Sequence, residues 1–350
     1  MTKEEPTHQG GWTQGVPAPR ARWLTPALLL ALLAATALAL AAGSVSIPPI
    51  EVFRALLGHL NDDVTGRILL GTRLPRVFAA GLVGAALALS GLASQTLFRN
   101  PLASPSAIGV SNGAALGAVA GALLGARLNS VGYVFSTALS VSGGLVVTAL
   151  VFMLGRRGRY FGHALLLAGI AIAALCSALT TAMLYLAGER LQSIVFWLLG
   201  GLWLATWREV WIVAPVTVVG LAAMVFWSRD LNVALLGERS ARDLGLDLPR
   251  LQRRLLVLIA ILASVAVSVS GVIGFIGLIV PHLARLVTGA DHRRLILPTA
   301  LGGALLLVLA DTGARTLASP AEIPVGIFTA ATGAPVFLWL LQKRRPAGAP

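Results

Sequence analysis

The chain has 350 residues, of which 57% are hydrophobic and only 12% are charged, and its mean hydropathy is +0.84. A single soluble domain could not bury so much apolar surface, so the composition excludes an ordinary water-soluble protein and predicts that lipid covers much of the chain. The net charge of +13 would suit a nucleic-acid-binding protein. The basic residues, however, lie between long apolar runs, which argues against nucleic acid as a partner.

Ten apolar runs, bounded by charges or turn residues, predict about ten membrane-spanning helices. The runs are rich in Ala, Leu, Gly and Val, and only 6% of the chain is aromatic, which favours an all-α fold. The seventh and eighth runs meet at 271–274, where glycines permit a tight reversal or a broken helix. The predicted spans are 24–43, 74–97, 105–125, 131–154, 161–187, 208–227, 253–271, 272–289, 295–314 and 323–342.

The basic residues are distributed unevenly between the loops. If the N-terminus is cytoplasmic, the inner loops carry more than twice as many Lys and Arg residues as the outer loops, which predicts a multi-pass protein of the plasma or inner membrane with both termini inside. We expect a disordered tail at 1–22, one transmembrane domain at 23–345 and a short tail at 346–350. A cleaved signal peptide is the alternative for the first run, because Ala37-Leu38-Ala39 resembles a cleavage site.

The third span has a glycine at every fourth residue. Each step of four turns a helix by about 400°, so the stripe winds slowly around one side. It predicts close backbone approach to neighbouring helices. The five glycines are Gly109, Gly113, Gly117, Gly121 and Gly125.

The segment 229–252 is the longest polar interruption after the N-terminal tail. Two short amphipathic helices, broken at Gly237 and Gly245, fit its pattern and predict a surface for a partner. A helix lying on the membrane interface, or a solvated loop, is the alternative. The predicted apolar contact face consists of Leu235, Leu236, Ala241 and Leu244.

Charged residues are rare within the spans, and Asp311 is the only acidic residue that lies clearly inside one. Arg315 lies four residues later, so the two side chains can pair across one helical turn, and the arginine is either this local partner or a functional group. The lack of other carboxylates argues against an ion-coupled carrier, and no polar cluster of a membrane-embedded enzyme is visible.

Two other residue types restrict the chemistry. The only lysines, Lys3 and Lys343, do not follow a glycine-rich turn. We therefore expect no phosphate loop and no ATP hydrolysis in this chain. The single cysteine, Cys176, cannot form an intrachain disulfide or a cysteine metal site, and we expect neither a metal site nor a cofactor.

Two groups of motifs lie in the first and last thirds of the chain. The first reads Arg73-Leu74-Pro75-Arg76, Asn100-Pro101-Leu102-Ala103-Ser104-Pro105 and Gly109-Val110-Ser111-Asn112-Gly113, and the second reads Gly271-Val272-Ile273-Gly274-Phe275-Ile276-Gly277-Leu278-Ile279-Val280-Pro281-His282, Asp291-His292-Arg293, Ala310-Asp311 and Glu322-Ile323-Pro324-Val325-Gly326. Over residues 24–345 the chain resembles the permease subunits of iron-siderophore, haem and vitamin B12 ABC importers, the type II importers.

The resemblance implies a subunit like that of the vitamin B12 importer, which forms a homodimer or pseudo-dimer in the lipid bilayer. Two separate ATPase subunits would bind ATP and Mg²⁺, and a soluble substrate-binding protein would deliver the cargo. The family favours an iron(III)-siderophore as cargo, with haem and cobalamin as alternatives.

The resemblance also implies roles for individual residues. Arg73, Arg76 and Arg315 would receive acidic residues of the binding protein, although the first two could instead be interfacial anchors. Residues that would couple the subunit to the ATPase are Gly237, Glu238, Arg239, Ala241, Arg242 and Gly245. A cytoplasmic gate is implied at Tyr160, Phe161, Gly162 and His163, although this stretch lacks the small hydroxyl residues of the vitamin B12 importer's gate. Candidate haem ligands are His163 and His282, whose alternative is an ordinary hydrogen-bonded histidine.

Overall fold

A computed structural model describes residues 21–43, 47–56, 63–125, 132–155, 161–319 and 321–343. Within these ranges all regular secondary structure is helical. The α-helices are α1 (Ala21–Ala41), α2 (Pro49–Leu56), α3 (Asp63–Ile68), α4 (Leu74–Leu97), α5 (Val110–Leu124), α6 (Gly132–Gly155), α7 (Phe161–Tyr185), α8 (Leu191–Leu198), α9 (Trp207–Phe226), α10 (Ser228–Ala234), α11 (Glu238–Asp243), α12 (Leu248–Ser270), α13 (Ile276–Thr288), α14 (His292–Thr316) and α15 (Val325–Lys343). A π-helical turn, Leu69–Arg73, leads into α4, and 3₁₀ turns lie at Pro105–Ile108 and Gly188–Arg190.

Each of the ten predicted spans is a helix, which confirms the all-α membrane fold. Among the described residues, seven helices are long and apolar enough to cross a bilayer, whereas α5, α13 and the apolar part of α15 are shorter. The orientation with both termini inside stays a prediction. The predicted tail at 346–350 lies outside the described residues. So does the predicted tail at 1–22, except for its last two residues, with which α1 begins.

Side chains set the start of several helices. Thr206 and Glu209 form a reciprocal capping box at the start of α9. Asp247 accepts a hydrogen bond from the backbone N–H of Arg250 at the start of α12, and Asp291 accepts one from Arg293 at the start of α14. These carboxylates satisfy N–H groups that have no partner within the helix, so α12 and α14 begin earlier than the apolar runs predicted.

The helix α4 lies at the centre of the bundle. Its most apolar stretch is 83% buried, and it packs against α9, α12, α13 and α14. The corresponding stretches of α1 and α7 are only 17% buried. Apolar surface of this extent must face lipid or another subunit, because water would not solvate it favourably.

Glycines bring α4 into backbone contact with two of its neighbours. A Cβ atom built on Gly84 would overlap the carbonyl oxygen of Gly303 on α14 and lie 2.8 Å from Cβ of Leu307. A Cβ on Gly91 would overlap the carbonyl oxygen of Gly277 on α13. Close backbone approach of this kind is typical of helices that associate within membranes.

The predicted break between the seventh and eighth spans lies between α12 and α13. The first helix ends at Ser270, Gly271 has φ 66°, and Phe275, immediately before α13, has φ 68°. A left-handed backbone at a phenylalanine is unfavourable, so surrounding contacts must hold it in place.

Candidate functional site

Charged side chains cluster where α4 begins and α14 ends. We call this group the arginine cluster, and it consists of Arg73, Arg76, Asp311, Arg315 and Glu322. The helices α4 and α14 run antiparallel, so the start of one lies beside the end of the other. The predicted docking residues thus lie together, at one end of the central helix pair.

Arg76 is held between two carboxylates of its own chain. Its Nε lies 3.1 and 3.0 Å from Oδ1 and Oδ2 of Asp311, and its Nη2 lies 2.9 Å from Oδ1. Its Nη1 and Nη2 donate to Oε1 and Oε2 of Glu322 at 3.1 and 3.0 Å. The Asp311 side chain is 2% exposed, and that of Glu322 is 39% exposed. Arg76 therefore faces a buried carboxylate on one side and a surface carboxylate on the other.

The other two arginines bind the C-terminal turn of α1. Nη1 of Arg73 donates to the carbonyl oxygens of Leu40 at 2.7 Å and Ala41 at 3.3 Å, and Nη2 of Arg315 donates to the carbonyl oxygen of Ala39. Both arginines are buried. They satisfy carbonyl groups that a helix leaves unpaired at its end, and their positive charge suits the negative end of the helix dipole.

The predicted pair of Asp311 and Arg315 is present, with Arg315 Nε 3.8 Å from Asp311 Oδ2. Arg76 is the closer partner of this carboxylate. Docking of a binding protein at the arginine cluster stays a prediction.

The segment 229–252 folds as two short helices interrupted at both predicted glycines. Gly237 has φ 100° and separates α10 from α11, and Gly245 has φ 78° and follows α11. Leu236 and Leu244 are 58% and 63% exposed. They therefore offer apolar surface to a partner.

The predicted apolar face is wrong in one residue, because Ala241 is 0% exposed and lies on the inner side of α11. Glu238, Arg239 and Arg242 are exposed. Glu238 and Arg242 also line a cleft of about 310 Å³ between α11, α12 and the end of α6. The assignment of this segment to ATPase coupling stays a prediction.

A second polar group, which the sequence did not predict, lies where α4 ends and α14 begins. We call it the histidine cluster, and it consists of Thr96, Asn232, Asp291 and His292. Its hydrogen bonds join α4, α10 and the first residues of α14. The Asp291-His292-Arg293 motif was the available signal, but nothing in it indicates that Asn232, on another helix, is the partner.

The predicted gate is described only in part. Tyr160 lies outside the described residues, and Phe161 and Gly162 begin α7. His163 is exposed in the first turn of α7, whereas His282 is buried within α13. The roles proposed for these residues stay predictions.

The glycine stripe of the third span lies mainly against α6. A Cβ on Gly117 would overlap the carbonyl oxygen of Leu139, and one on Gly121 would overlap Cα of Ser136. A Cβ on Gly113 would lie 2.7 Å from the carbonyl oxygen of Gly143. Gly109, with φ 78°, precedes α5 and lies against α7, and Gly125 lies against the start of α6.

The chain is similar over most of its length to known transport permeases. The model of the FecCD transport family matches residues 29–343. The hemin transport system permease protein HmuU of Yersinia pestis is 42% identical, covering 91% of this chain and 97% of the relative. The vitamin B12 import system permease protein BtuC of Salmonella paratyphi A is also 42% identical, covering 92% and 95%. A solved inward-facing metal-chelate type ABC transporter has a TM-score of 0.82 at 33% identity, covering 92% of this chain and 99% of that one.

Proposed function

This chain belongs to the FecCD transport family, and from that premise we propose that it is the permease through which an ABC importer moves an iron(III)-siderophore-type chelate across the inner membrane. A soluble binding protein delivers the chelate at the arginine cluster. Two ATPase subunits, which hold ATP and Mg²⁺, bind the segment 229–252. A second permease subunit completes the pathway, either as an identical copy or as a close homologue.

The observation that supports this function most is the arrangement of the central helix pair. The arginine cluster lies at one end of α4 and α14, and the histidine cluster, which contacts α10 of the segment 229–252, lies at the other. One pair of helices thus connects the arginine cluster, where Arg76 and Glu322 lie nearest the surface, with an exposed segment suited to a motor subunit.

The apolar faces of α1 and α7 support a subunit that is incomplete alone. Leu167 and Ile170 on α7 are 70% and 63% exposed, and Leu30 on α1 is 68% exposed. A second permease subunit and the surrounding lipid would cover such surface.

Glu238→Arg tests the contact with the ATPase. It reverses the charge of an exposed side chain on α11, and we expect it to abolish chelate-stimulated ATP hydrolysis by the reconstituted assembly, because like charges across an interface are strongly unfavourable. The measurement is phosphate release with and without loaded binding protein. The matched control is Glu51→Arg, which reverses an exposed glutamate on α2. Normal stimulation in Glu238→Arg would remove the coupling assignment.

The cargo is tested by uptake into proteoliposomes that contain the permease and its ATPase. Each candidate chelate, namely a ferric siderophore, hemin or cobalamin, is offered with the cognate binding protein and ATP. We expect ATP-dependent uptake of the ferric siderophore. Uptake of hemin or cobalamin alone would keep the permease function and replace the cargo.

A further inference from the structure

The side chain of Asn232 joins α10 to the start of α14. Its Nδ2 donates to Oδ1 of Asp291 at 2.7 Å, and its Oδ1 accepts the backbone N–H of His292 at 2.8 Å. A carboxylate oxygen only accepts and a backbone N–H only donates, so these two contacts fix which end of the amide is nitrogen and which is oxygen. The Asn232 amide therefore attaches α10 to the N-terminus of α14 through one donated and one accepted hydrogen bond.

The ring of His292 continues this connection to α4. Its Nδ1 lies 2.9 Å from Oδ1 of Asn232, and because that oxygen only accepts, Nδ1 bears the proton. In a neutral imidazole Nε2 then accepts from the hydroxyl of Thr96, which lies 2.8 Å away. The single proton of that hydroxyl is thereby donated to His292 rather than to the carbonyl oxygen of Leu92, which lies 2.9 Å away, one turn earlier on α4. Both ring nitrogens are thus used, and they bridge two helices.

The contact between His292 and Thr96 is inaccessible to water. His292 is 0% exposed and Thr96 is 2% exposed. If α10 moved while α4 stayed in place, a buried polar group would lose its partner, at a cost of about 1–3 kcal/mol for each group. The cluster therefore favours joint movement of α4, α10 and α14.

The connection extends to α13, which follows the strained residue Phe275. Nε2 of Gln95 on α4 donates to the carbonyl oxygen of Leu278 on α13 at 3.1 Å. On the other side, α10 leads to α11 through Gly237. The histidine cluster thus lies between the segment proposed to bind the ATPase and the centre of the bundle.

We propose that the histidine cluster transmits displacement of the segment 229–252 to α4 and α14, so that ATP hydrolysis is coupled to opening of the pathway. This inference rests on the proposed function. His292, Asn232 and Thr96 are positioning residues, which touch neither the chelate nor ATP. Loss of one hydrogen bond in the bridge leaves both ends folded but lets them move independently.

The first test compares two buried threonines in the complete assembly, which includes binding protein and ATPase in liposomes. The hydroxyls of Thr96 and Thr299 both lie within hydrogen-bonding distance of the carbonyl oxygen four residues earlier, but only that of Thr96 is also hydrogen-bonded to His292. We expect Thr96→Val to lower the amount of chelate imported per ATP by about fivefold or more, as the loss of one buried hydrogen bond predicts. Thr299→Val should leave this ratio unchanged. The ratio does not depend on how much assembly is recovered.

Two substitutions at His292 separate the halves of the bridge. His292→Asn keeps a donor at the position of Nδ1, and His292→Gln keeps an acceptor at the reach of Nε2. We expect both to lower the ratio of chelate imported to ATP hydrolysed, because each keeps only one of the two hydrogen bonds of the ring. Asn232→Ala, at a half-buried position, should lower it as well and provides a variant less prone to misfolding.

Equal ratios in Thr96→Val, Thr299→Val and the wild type would overturn the inference, as would a normal ratio in both His292 variants. A merely structural role predicts that outcome, with lower thermal stability but normal coupling. If the wild-type assembly hydrolyses ATP and imports none of the three chelates, the proposed function fails, and the inference fails with it.

Discussion

The two ends of the α4–α14 pair are joined by different chemistry. At the arginine cluster the contact is ionic, with Arg76 held by Asp311 and Glu322. At the histidine cluster the contact between the same helices is a hydrogen bond of a buried imidazole. A buried ion pair is costly to break, whereas one neutral hydrogen bond contributes only about 1 kcal/mol. The two contacts within one pair of helices therefore differ in strength, and the ionic contact is the more costly to separate.

The largest effect on stability is expected when the arginine cluster loses its buried carboxylate. Asp311→Asn leaves Arg76 and Arg315 without their buried carboxylate, and we expect a loss of about 3–5 kcal/mol in stability, as for other broken buried pairs. Thermal unfolding of the purified subunit in detergent measures it. Glu322→Gln is the control, because it removes the exposed carboxylate of the same arginine and should cost less than about 1 kcal/mol. Equal losses would show that burial does not distinguish the two carboxylates.

An intermediate effect is expected between the two ends, where the helices touch through backbone. Gly84→Ala places a methyl group against the carbonyl of Gly303, and overpacking of this kind costs about 1–3 kcal/mol. The control is Gly81→Ala on the same helix, whose added Cβ would be 3.9 Å from its nearest neighbour, Ala304. Alanine there should be neutral or stabilising, and the same unfolding assay compares the two. A destabilised control would contradict the contact geometry.

The smallest effect concerns the surface of the ionic end. Glu322→Gln removes one negative charge beside Arg76, and we expect association with an acidic binding protein to become a few-fold faster at low salt, since charge steers encounter. The gain should disappear at about 0.5 M salt. Association rates by surface plasmon resonance measure it.

Asp247→Asn provides the matched control for that surface charge. It removes an exposed charge that is paired with Arg250 at 3.5 Å, in the segment 229–252, and its amide can still cap α12. An equal acceleration in this control would show that only net charge matters. No acceleration in Glu322→Gln would argue against docking at the arginine cluster.

The sequence predicted the helices much better than the clusters. Long apolar runs show where helices lie, so all ten predicted spans contain a helix. The local pair of Asp311 and Arg315 followed from a spacing of four. Its stronger partner, Arg76, lies on another helix, and no periodic pattern identifies such a contact. The same is true of Asn232 and His292.

The backbone partners of the other two arginines could not be predicted from the sequence, for a different reason. Arg73 and Arg315 bind carbonyl groups at the end of α1, and a carbonyl oxygen is present at every residue. The sequence did not predict these backbone contacts, because it shows where a helix ends only approximately. A resemblance to a family identifies candidate functional residues, but it does not show which groups their side chains contact.

The glycine contacts limit how the sequence can change. Every substitution of Gly84 adds at least a methyl group, and the group it would meet is the carbonyl oxygen of Gly303, which no mutation removes. A compensating reduction in the partner is impossible, because Gly303 is already the smallest residue. Where two glycines meet in this way, neither can be replaced unless the distance between the two helices increases.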